Sequence, residues 1–306
     1  MKNKKYIIGK KNFNGTKLDK IFFPKDKITK KDLIDYYVKV AVLMVPYISG
    51  RPINMMRAPN GLTGEIFYMQ HRPKYFPSWV GSFIVKKFRG SVEHVVCNNL
   101  AVPAYLAEEG FITFHIWNSK INNLKNPDRL VFDLDPPERT NNFDKVRNAA
   151  FIIKEFFDRI DVRTFLMTTG SRGVHVVIPL DGKINFGKVR KFAKKVAEML
   201  SNDFPDQLTS LISKKKRKGR VFIDYLRNSY GQTAVAPYSV RLKEGAPIAA
   251  PISWDDLIKK KFNSQEFNIE NIFQKIKKNG DVWATMSKYK YNISVLNKKI
   301  SQKRSL

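Results

Sequence analysis

Two acidic residues stand one position apart inside an apolar segment, RLVFDLDPPE, at residues 129–138. If the segment is a strand, residues i and i+2 point to the same face, so Asp133 and Asp135 project together. Two neighbouring carboxylates repel each other, and both stay ionised only beside a cation. Oxygen ligands of this kind suit Mg²⁺ or Mn²⁺. The pattern also fits a strand that ends in a turn with both acids solvated, so the pair alone leaves both interpretations open.

A third acid, Asp224, lies in RVFIDYL (220–226), where large apolar residues again flank it on a predicted strand. Three acids from two strands could hold a pair of metal ions for phosphoryl transfer. Arg227 and Arg241 bracket Asp224, and cations beside a metal cluster can bind the outer phosphates of a nucleotide. A basic surface strand is the alternative interpretation of these arginines.

The segment TTGSRGVHVVIP (168–179) predicts two strands joined by a glycine-flanked turn. Such a turn is expected to expose backbone N–H groups, to which Ser171 adds a hydroxyl and Arg172 a bidentate phosphate ligand. His175 follows just after the turn. Together these groups could hold a triphosphate, although an ordinary hairpin with glycines for turn geometry fits equally well.

Two further features concern aromatic residues and a histidine on predicted strands. Phe67 and Tyr68 are adjacent, so at least one faces outward, where an aromatic ring among basic residues can stack on bases. Core packing is expected for at least one of the two. His115, in FITFHIW (111–117), is either an active-site residue or a strand histidine with satisfied hydrogen bonds.

The composition points to a polyanionic partner. The chain has 306 residues with 56 Lys and Arg against 27 Asp and Glu, a net charge of +29. A charge this large favours nucleic acid. A lysine bias of an AT-rich genome would explain Lys over Arg but not the shortage of acids. The single cysteine, Cys97, allows no internal disulfide or multi-cysteine zinc site. With neither a secretory signal nor an apolar run of spanning length, the sequence predicts a cytoplasmic protein without a membrane partner.

Strands and helices mix along the chain without a regular βαβ period, which predicts an α+β fold. TKKDLIDYYVKVAVLMVPYI (29–48) predicts a helix with Thr29 as N-cap and Asp32 three residues on. Residues 143–160 and 186–204 predict further amphipathic helices. Residues 1–19 are expected to form a poorly ordered basic arm, and no structure is predicted beyond 287.

Four segments occur in a distinctive order: NPDRLVFDLDPPE, TTGSRGVHVVIPL, GRVFIDYLRNSYGQTAVAPYSVR and GAPIAAPISWDDL. From about Lys20 to Trp283, the chain closely resembles the polymerase domain of bacterial ligase D, a member of the archaeo-eukaryotic primase superfamily. The resemblance implies a primase-type α+β fold of mixed and antiparallel sheets flanked by helices, with an RRM-like catalytic half. It also implies a single catalytic domain of two packed halves at 20–286, between a basic arm (1–19) and a basic tail (287–306).

The resemblance assigns roles to the residues that match the family's motifs. Asp133, Asp135 and Asp224 match its metal-binding catalytic triad, and His115 matches a histidine at the active centre. The nucleotide triphosphate site is matched by Ser171, Arg172 and His175, with Arg241 close to the phosphates.

The DNA contacts implied by the resemblance lie in the first third of the chain. Phe67 and Tyr68 match an aromatic pair that stacks on the template or the incoming base, and Arg57 matches a template contact. Lys20 and Lys30 match a lysine pair that grips a 5′-phosphate. Gln70 departs from the family pattern, which commonly has a lysine there, and this puts one phosphate contact in doubt.

By resemblance, the chain is expected to be a template-directed nucleotidyltransferase that fills gaps and extends 3′ ends at DNA double-strand breaks. It would use NTP or dNTP with two divalent cations, Mn²⁺ or Mg²⁺, and prefer ribonucleotides and 5′-phosphorylated ends. Expected partners are broken or gapped DNA with a 3′-overhang, the Ku protein, a DNA ligase, and a second copy across a break, in a nucleoid-associated setting. A primase that starts chains de novo and a non-catalytic DNA-end bridging module remain alternatives. A stand-alone protein and a piece of a longer ligase both fit.

Overall fold

The computed structural model describes residues 3–137 and 142–304. The chain folds into two compact units, each assembled from separate stretches of sequence. The first unit comprises the chain up to Asn122 together with Val235–Ala249 and Phe267–Lys278. The second comprises Asn123–Ala234, Ala250–Glu266 and the chain from Asn279 onward.

Strands and helices alternate irregularly along the chain. The strands are Lys4–Ile8 (β1), Lys11–Gly15 (β2), Ile21–Phe23 (β3), Ile28–Thr29 (β4), Pro52–Arg57 (β5), Phe67–Met69 (β6), Ser82–Lys86 (β7), Ser91–Val96 (β8), Phe111–Trp117 (β9), Arg129–Asp135 (β10), Phe165–Thr168 (β11), Val174–Pro179 (β12), Leu208–Thr209 (β13), Val221–Asp224 (β14), Thr233–Val235 (β15) and Pro251–Ile252 (β16). The helices are Lys30–Ile48 (α1), Ala101–Glu108 (α2), Phe143–Asp158 (α3), Phe186–Asp203 (α4), Trp254–Ile258 (α5), Ile272–Asn279 (α6) and Ile293–Arg304 (α7).

The main sheet of the first unit has the strand order β15-β9-β5-β8-β7, and β6 pairs with β5 off this path. Helix α1 begins at a capping box: Thr29 accepts from the backbone N–H of Asp32, whose carboxylate accepts from that of Thr29, as the sequence predicted. The helix buries Leu33 and Tyr37. The Tyr37 hydroxyl donates to the Ile112 carbonyl at 2.6 Å, which fastens the helix to β9.

The N-terminal residues form a hairpin, so the expectation of a poorly ordered arm over residues 1–19 was wrong for the part that the structure describes. β1 pairs with β2 in antiparallel register. Polar and apolar residues alternate along these strands, although the many lysines obscure the pattern. Tyr6 and Phe13 face each other across the hairpin, stack with ring centroids 5.2 Å apart, and are buried.

The sheet of the second unit has the order β13-β14-β10-β12-β11-β16. Its pairings are antiparallel except for the parallel pair of β13 and β14. Helix α3 connects β10 to β11, and α4 leads from β12 toward β14. Crossovers between parallel strands are right-handed, and these two step in opposite directions from oppositely directed strands, so we expect both helices to cover the same face. The Phe132 and Phe157 rings, 5.9 Å apart, belong to this helical face. The predicted α+β class, with mixed and antiparallel sheets flanked by helices, is confirmed.

The C-terminal segment, for which the sequence predicted no structure, contains helix α7. Three apolar residues at helical spacing, Ile293, Leu296 and Ile300, are buried in the second unit. A short bridge between Leu180 and Tyr291 precedes them. None of the helices in the described part of the chain is both long and apolar enough to cross a membrane.

Candidate active site

The three acids and the histidine of the predicted site meet on one face of the second unit's sheet. Asp133 on β10 lies directly across from Asp224 on β14 and directly across from His175 on β12. Cross-strand neighbours of this kind have Cβ atoms about 5 Å apart. Asp135 projects from the same face of β10, one pleat further along. Phe132 points the other way, toward α3, so this row lies on the face opposite the helices.

Asp133 is the centre of the row and is 6% exposed. Its Oδ1 lies 3.4 Å from His175 Nε2, and its Oδ2 accepts from Arg227 Nε at 3.2 Å. Burial acts to raise the pKa of Asp133, but attraction to His175 and Arg227 outweighs burial and lowers this pKa to about 2. Asp133 is therefore the carboxylate that stays ionised.

The two flanking acids behave in the opposite way. Burial, followed by repulsion from Asp133 and Asp224, raises the pKa of Asp135 to about 6. Burial and repulsion from Asp133 likewise raise the pKa of Asp224. Nearby positive charge thus offsets the repulsion only in part, and a further cation would favour the ionised form of all three acids.

Arg227 stands between two of these acids. Its Nε lies 3.2 Å from Asp133 Oδ2 and 3.4 Å from Asp224 Oδ2. Within residues 3–137 and 142–304, no group of three or more His, Cys, Asp or Glu side chains already has its donor atoms arranged for a metal ion. The donor chemistry nevertheless fits Mg²⁺ or Mn²⁺, because the three acids offer carboxylate oxygens whose mutual repulsion a divalent cation would relieve.

Asn228, which is not among the residues predicted from the sequence, links the segment that carries Arg227 to β10. It is fully buried, accepts from the Val131 N–H at 2.8 Å and donates to the Val131 carbonyl at 2.7 Å. Since β14 pairs with β10 only over Asp133–Asp135, this side chain continues the backbone pairing past the end of the strand. The only feature of the sequence that could have indicated this role is the position of Asn228, four residues after Asp224.

The GSRG turn connects β11 to β12, as predicted, but its backbone does not present all of its N–H groups. The N–H groups of Ser171 and Gly173 both donate to Thr169 Oγ1, at 3.3 and 3.2 Å. The expectation of an exposed N–H cradle was therefore wrong for these two groups, because a threonine inside the turn engages them. Ser171 is half-buried, Arg172 is exposed and His175 is buried.

Two residues that are remote in sequence donate hydrogen bonds to carbonyl groups of this turn. Ser264 Oγ donates to the Gly173 carbonyl at 2.6 Å, and Gln265 Nε2 donates to the Ser171 carbonyl at 2.7 Å. Gly173 is needed for its size, because a Cβ at this position would lie 2.1 Å from the Leu134 carbonyl oxygen. Nothing in the local sequence pointed to Ser264 or Gln265.

The remaining candidates lie in the first unit. Phe67 is 44% exposed and Tyr68 is 54% exposed. The expectation that at least one packs in the core was wrong, because β6 pairs only with β5 and leaves both faces of this short strand open. The ring of Tyr68 lies 6.2 Å from that of His115, and its hydroxyl accepts from Asn54 at 2.9 Å.

Three basic residues predicted to contact DNA or phosphate have protein partners. Arg57 Nε donates to the Glu109 carbonyl at 3.0 Å. Lys20 Nζ donates to the Pro59 carbonyl at 2.7 Å, and Lys30, which is 7% exposed, pairs with Glu108 at 2.8 Å. Arg241 belongs to the same unit, and its backbone N–H donates to the Pro247 carbonyl.

Comparison with known proteins agrees with this fold. The polymerase domain from Mycobacterium tuberculosis ligase D, solved in complex with DNA, superposes with a TM-score of 0.83 at 29% identity, covering 89% of this chain and 96% of that one. The fold is that of a primase-polymerase domain. The chain belongs to the LigD primase-polymerase domain family, whose model matches residues 29–283.

The curated relatives of this chain are longer than the chain itself. The bifunctional non-homologous end joining protein LigD of Bacillus subtilis is 32% identical over 266 residues, which are 87% of this chain and 42% of that protein. The multifunctional non-homologous end joining protein LigD of Mycolicibacterium smegmatis is 29% identical over 273 residues, 89% of this chain and 35% of that protein. The chain thus spans about two fifths or less of these relatives.

Proposed function

We propose that this chain is a template-directed nucleotidyltransferase that fills gaps and extends 3′ ends at DNA double-strand breaks. The observation that carries the proposal is the row of Asp224, Asp133 and His175 across three neighbouring strands. Family membership supports the reaction class, and the net charge of +29 supports a nucleic-acid substrate.

Asp133, Asp135 and Asp224 would hold two divalent cations. When bound, such ions supply activation of a primer 3′-hydroxyl and neutralisation of charge on the leaving pyrophosphate. Arg227 already neutralises part of this site, so its guanidinium must share the acids with the ions or turn toward the nucleotide. A turn toward the nucleotide would place it, as a bidentate donor, on the phosphates.

The protein's own contribution is to hold the nucleotide. Ser171 and Arg172 lie on the turn beside the row, and His175 is the direct neighbour of Asp133. These side chains, with Arg241, would bind the triphosphate, and the ties from Thr169, Ser264 and Gln265 would keep the turn in one conformation before the nucleotide binds. His115 would act at the active centre.

Contacts with DNA would come from the first unit. Phe67 and Tyr68 present exposed rings on which a template base or the incoming base can stack. Arg57 would contact the template, and Lys20 with Lys30 would favour a 5′-phosphorylated end. These contacts read no sequence, so base choice would come from template pairing. We further propose ribonucleotide preference, cooperation with Ku and a DNA ligase, and a second copy across a break.

The test is primer extension on a gapped duplex, with and without a 5′-phosphate, comparing NTP with dNTP under Mg²⁺ and Mn²⁺. Asp135→Ala should abolish extension and leave DNA binding intact, whereas Asp206→Ala, an exposed acid elsewhere in the second unit, should change neither. Extension by Asp135→Ala at close to the unmodified rate would refute the catalytic assignment.

Two alternatives predict different results. A primase would make dinucleotides on bare single-stranded template without a primer. A non-catalytic bridging module would join two DNA ends in a pull-down assay but would extend neither, with or without its acids. The polymerase proposal predicts extension that needs both the primer and the three acids.

A further inference from the structure

Helices α4 and α7 form a strongly basic surface in the second unit. The helix α4 sequence contains five Lys or Arg and two acids, and that of α7 contains four Lys or Arg and no acid. The two helices pack together, and Lys195 Nζ donates to Asn297 Oδ1 at 2.8 Å. We call this the α4–α7 surface.

Most cations of the α4–α7 surface have no acid to neutralise them. Lys194 pairs with Glu198 at 3.4 Å, and Lys299 lies 3.8 Å from Asp161. Five further cations are exposed, and in the part of the chain that the structure describes none of them forms an ion pair: Lys188, Arg190, Lys191, Lys298 and Lys303. Like charges held this close raise the free energy of the folded chain, and a polyanion bound across them would remove that cost.

This surface is separate from the candidate active site. The helices cover one face of the sheet, and the row centred on Asp133 projects from the other. A strand of nucleic acid that reaches the acids therefore contacts a different side of the same unit. Helix α7 also lies beyond residues 29–283, the part matched by the family model.

The side chains on this surface favour a phosphate backbone over an acidic protein. Among the described residues of both helices, the only large apolar side chain that is strongly exposed is Val295, at 52%. Protein interfaces obtain most of their affinity from buried aromatic and apolar anchors, which are missing here. A nucleic-acid backbone needs only positioned cations, because its affinity comes from counterion release.

The spacing of the charges fits a linear polyanion. Lys188, Lys191 and Lys195 stand at i, i+3 and i+7, so they follow one line along α4. At 1.5 Å per residue this line is about 10 Å long, which spans about three phosphates of one strand at 3.4 Å each. Lys298 and Lys303 extend the charge onto α7.

We propose that the α4–α7 surface is a second nucleic-acid binding surface, which holds a duplex by its phosphate backbone independently of the active site. It requires neither a DNA end, a gap nor a nucleotide. A chain that binds DNA on two faces can stay attached to a duplex while its acids act on an end.

The test measures the affinity of the full chain for closed circular duplex DNA, which has no ends or gaps, at several salt concentrations. One triple variant carries Lys188→Gln, Arg190→Gln and Lys191→Gln. A control triple variant loses the same charge from exposed lysines elsewhere, through Lys10→Gln, Lys260→Gln and Lys261→Gln. Extension of a short gapped duplex at saturating concentration is measured for both.

The α4 triple variant should make the slope of log affinity against log salt shallower by about 2 to 3, since each lost phosphate contact contributes about 0.9. A Lys298→Gln, Lys303→Gln variant should lower the slope by about 2. Extension at saturation should be unchanged. Equal slopes for the α4 triple variant and the control triple variant would overturn the proposal and leave an acidic protein as the partner of this surface.

Discussion

Lys30 and Glu108 form an ion pair in which Nζ lies 2.8 Å from Oε1 and both side chains are more than nine-tenths buried. Thr16 completes the arrangement: its N–H and hydroxyl donate to Glu108, and its carbonyl accepts from Lys30 at 3.0 Å. A phosphate that approaches Lys30 must therefore compete with a carboxylate already in place. Lys20, which is less buried, donates to two neutral oxygens, the Pro59 carbonyl and the side-chain carbonyl of Asn60.

The first prediction follows from this difference between the two lysines. Lys20→Ala should erase the preference for a 5′-phosphorylated gap with little change in stability. Lys30→Ala should lower the free energy of unfolding by roughly 3 to 5 kcal/mol, because it leaves Glu108 charged and buried. Urea unfolding and extension on paired gapped substrates measure both effects.

A control for that experiment is Lys25→Ala, which removes an exposed ion pair with Glu244 at 2.9 Å. It should lower the free energy of unfolding far less than Lys30→Ala does, because solvent screens an exposed ion pair. If Lys30→Ala were as mild as Lys25→Ala, the buried ion pair of Lys30 with Glu108 would not stabilise the fold.

The second prediction concerns Gly173, whose missing side chain lets β12 approach β10. In Gly173→Ala the new Cβ would meet the Leu134 carbonyl oxygen at 2.1 Å, so the strand must shift. We expect a lower melting temperature together with weaker nucleotide binding. Gly187→Ala is the matched control, since its Cβ would meet only Asn185 Oδ1 at 3.4 Å and alanine favours the helix. Two equally stable variants would contradict the close approach.

The third prediction concerns the two ties on the GSRG turn. Ser264→Ala and Gln265→Ala should each raise KM for the nucleotide severalfold and change kcat little, because they loosen the groups that hold the triphosphate. Ser264→Thr keeps the hydroxyl and should restore much of the affinity. Gln207→Ala, an exposed glutamine elsewhere in the unit, should have no effect. A fall in kcat with KM unchanged would assign the turn a different role.

The fourth prediction is a pH dependence of stability from His94. This residue is 1% exposed and packs against Trp117 with ring centroids 5.9 Å apart. Burial lowers the pKa of His94 from its ordinary value of 6.5. Below pH 6.5 the unfolded chain therefore binds a proton that the folded chain does not. Stability from neutral His94 is complete above pH 6.5 and is lost as the pH falls toward the folded-state pKa.

The measurement for His94 is the free energy of unfolding in urea at several pH values between 7.5 and 5. The difference between the unmodified chain and His94→Gln isolates this residue from the other titrating groups. That difference should shrink as the pH falls below 6.5. A difference that stays constant over the whole range would show that His94 does not titrate differently on folding.

Local periodicity was enough to predict many elements of this protein. The capping box at Thr29, the strands on either side of the GSRG turn and the shared face of Asp133 and Asp135 each depend on residues within a few positions of one another. The α+β class followed from the order of such elements, and four long motifs carried the family resemblance. None of these features needs information about which distant residues meet.

Contacts between distant parts of the chain determine which groups lie beside these residues. Strand register placed His175 and Asp224 on either side of Asp133, and long-range packing buried Lys30 against Glu108. The turn's N–H groups are engaged by Thr169, and its carbonyls by Ser264 and Gln265. Sequence alone determined the types of the reactive groups and their faces on each element. Their charge and burial required the folded chain, because both depend on neighbours that are remote in sequence.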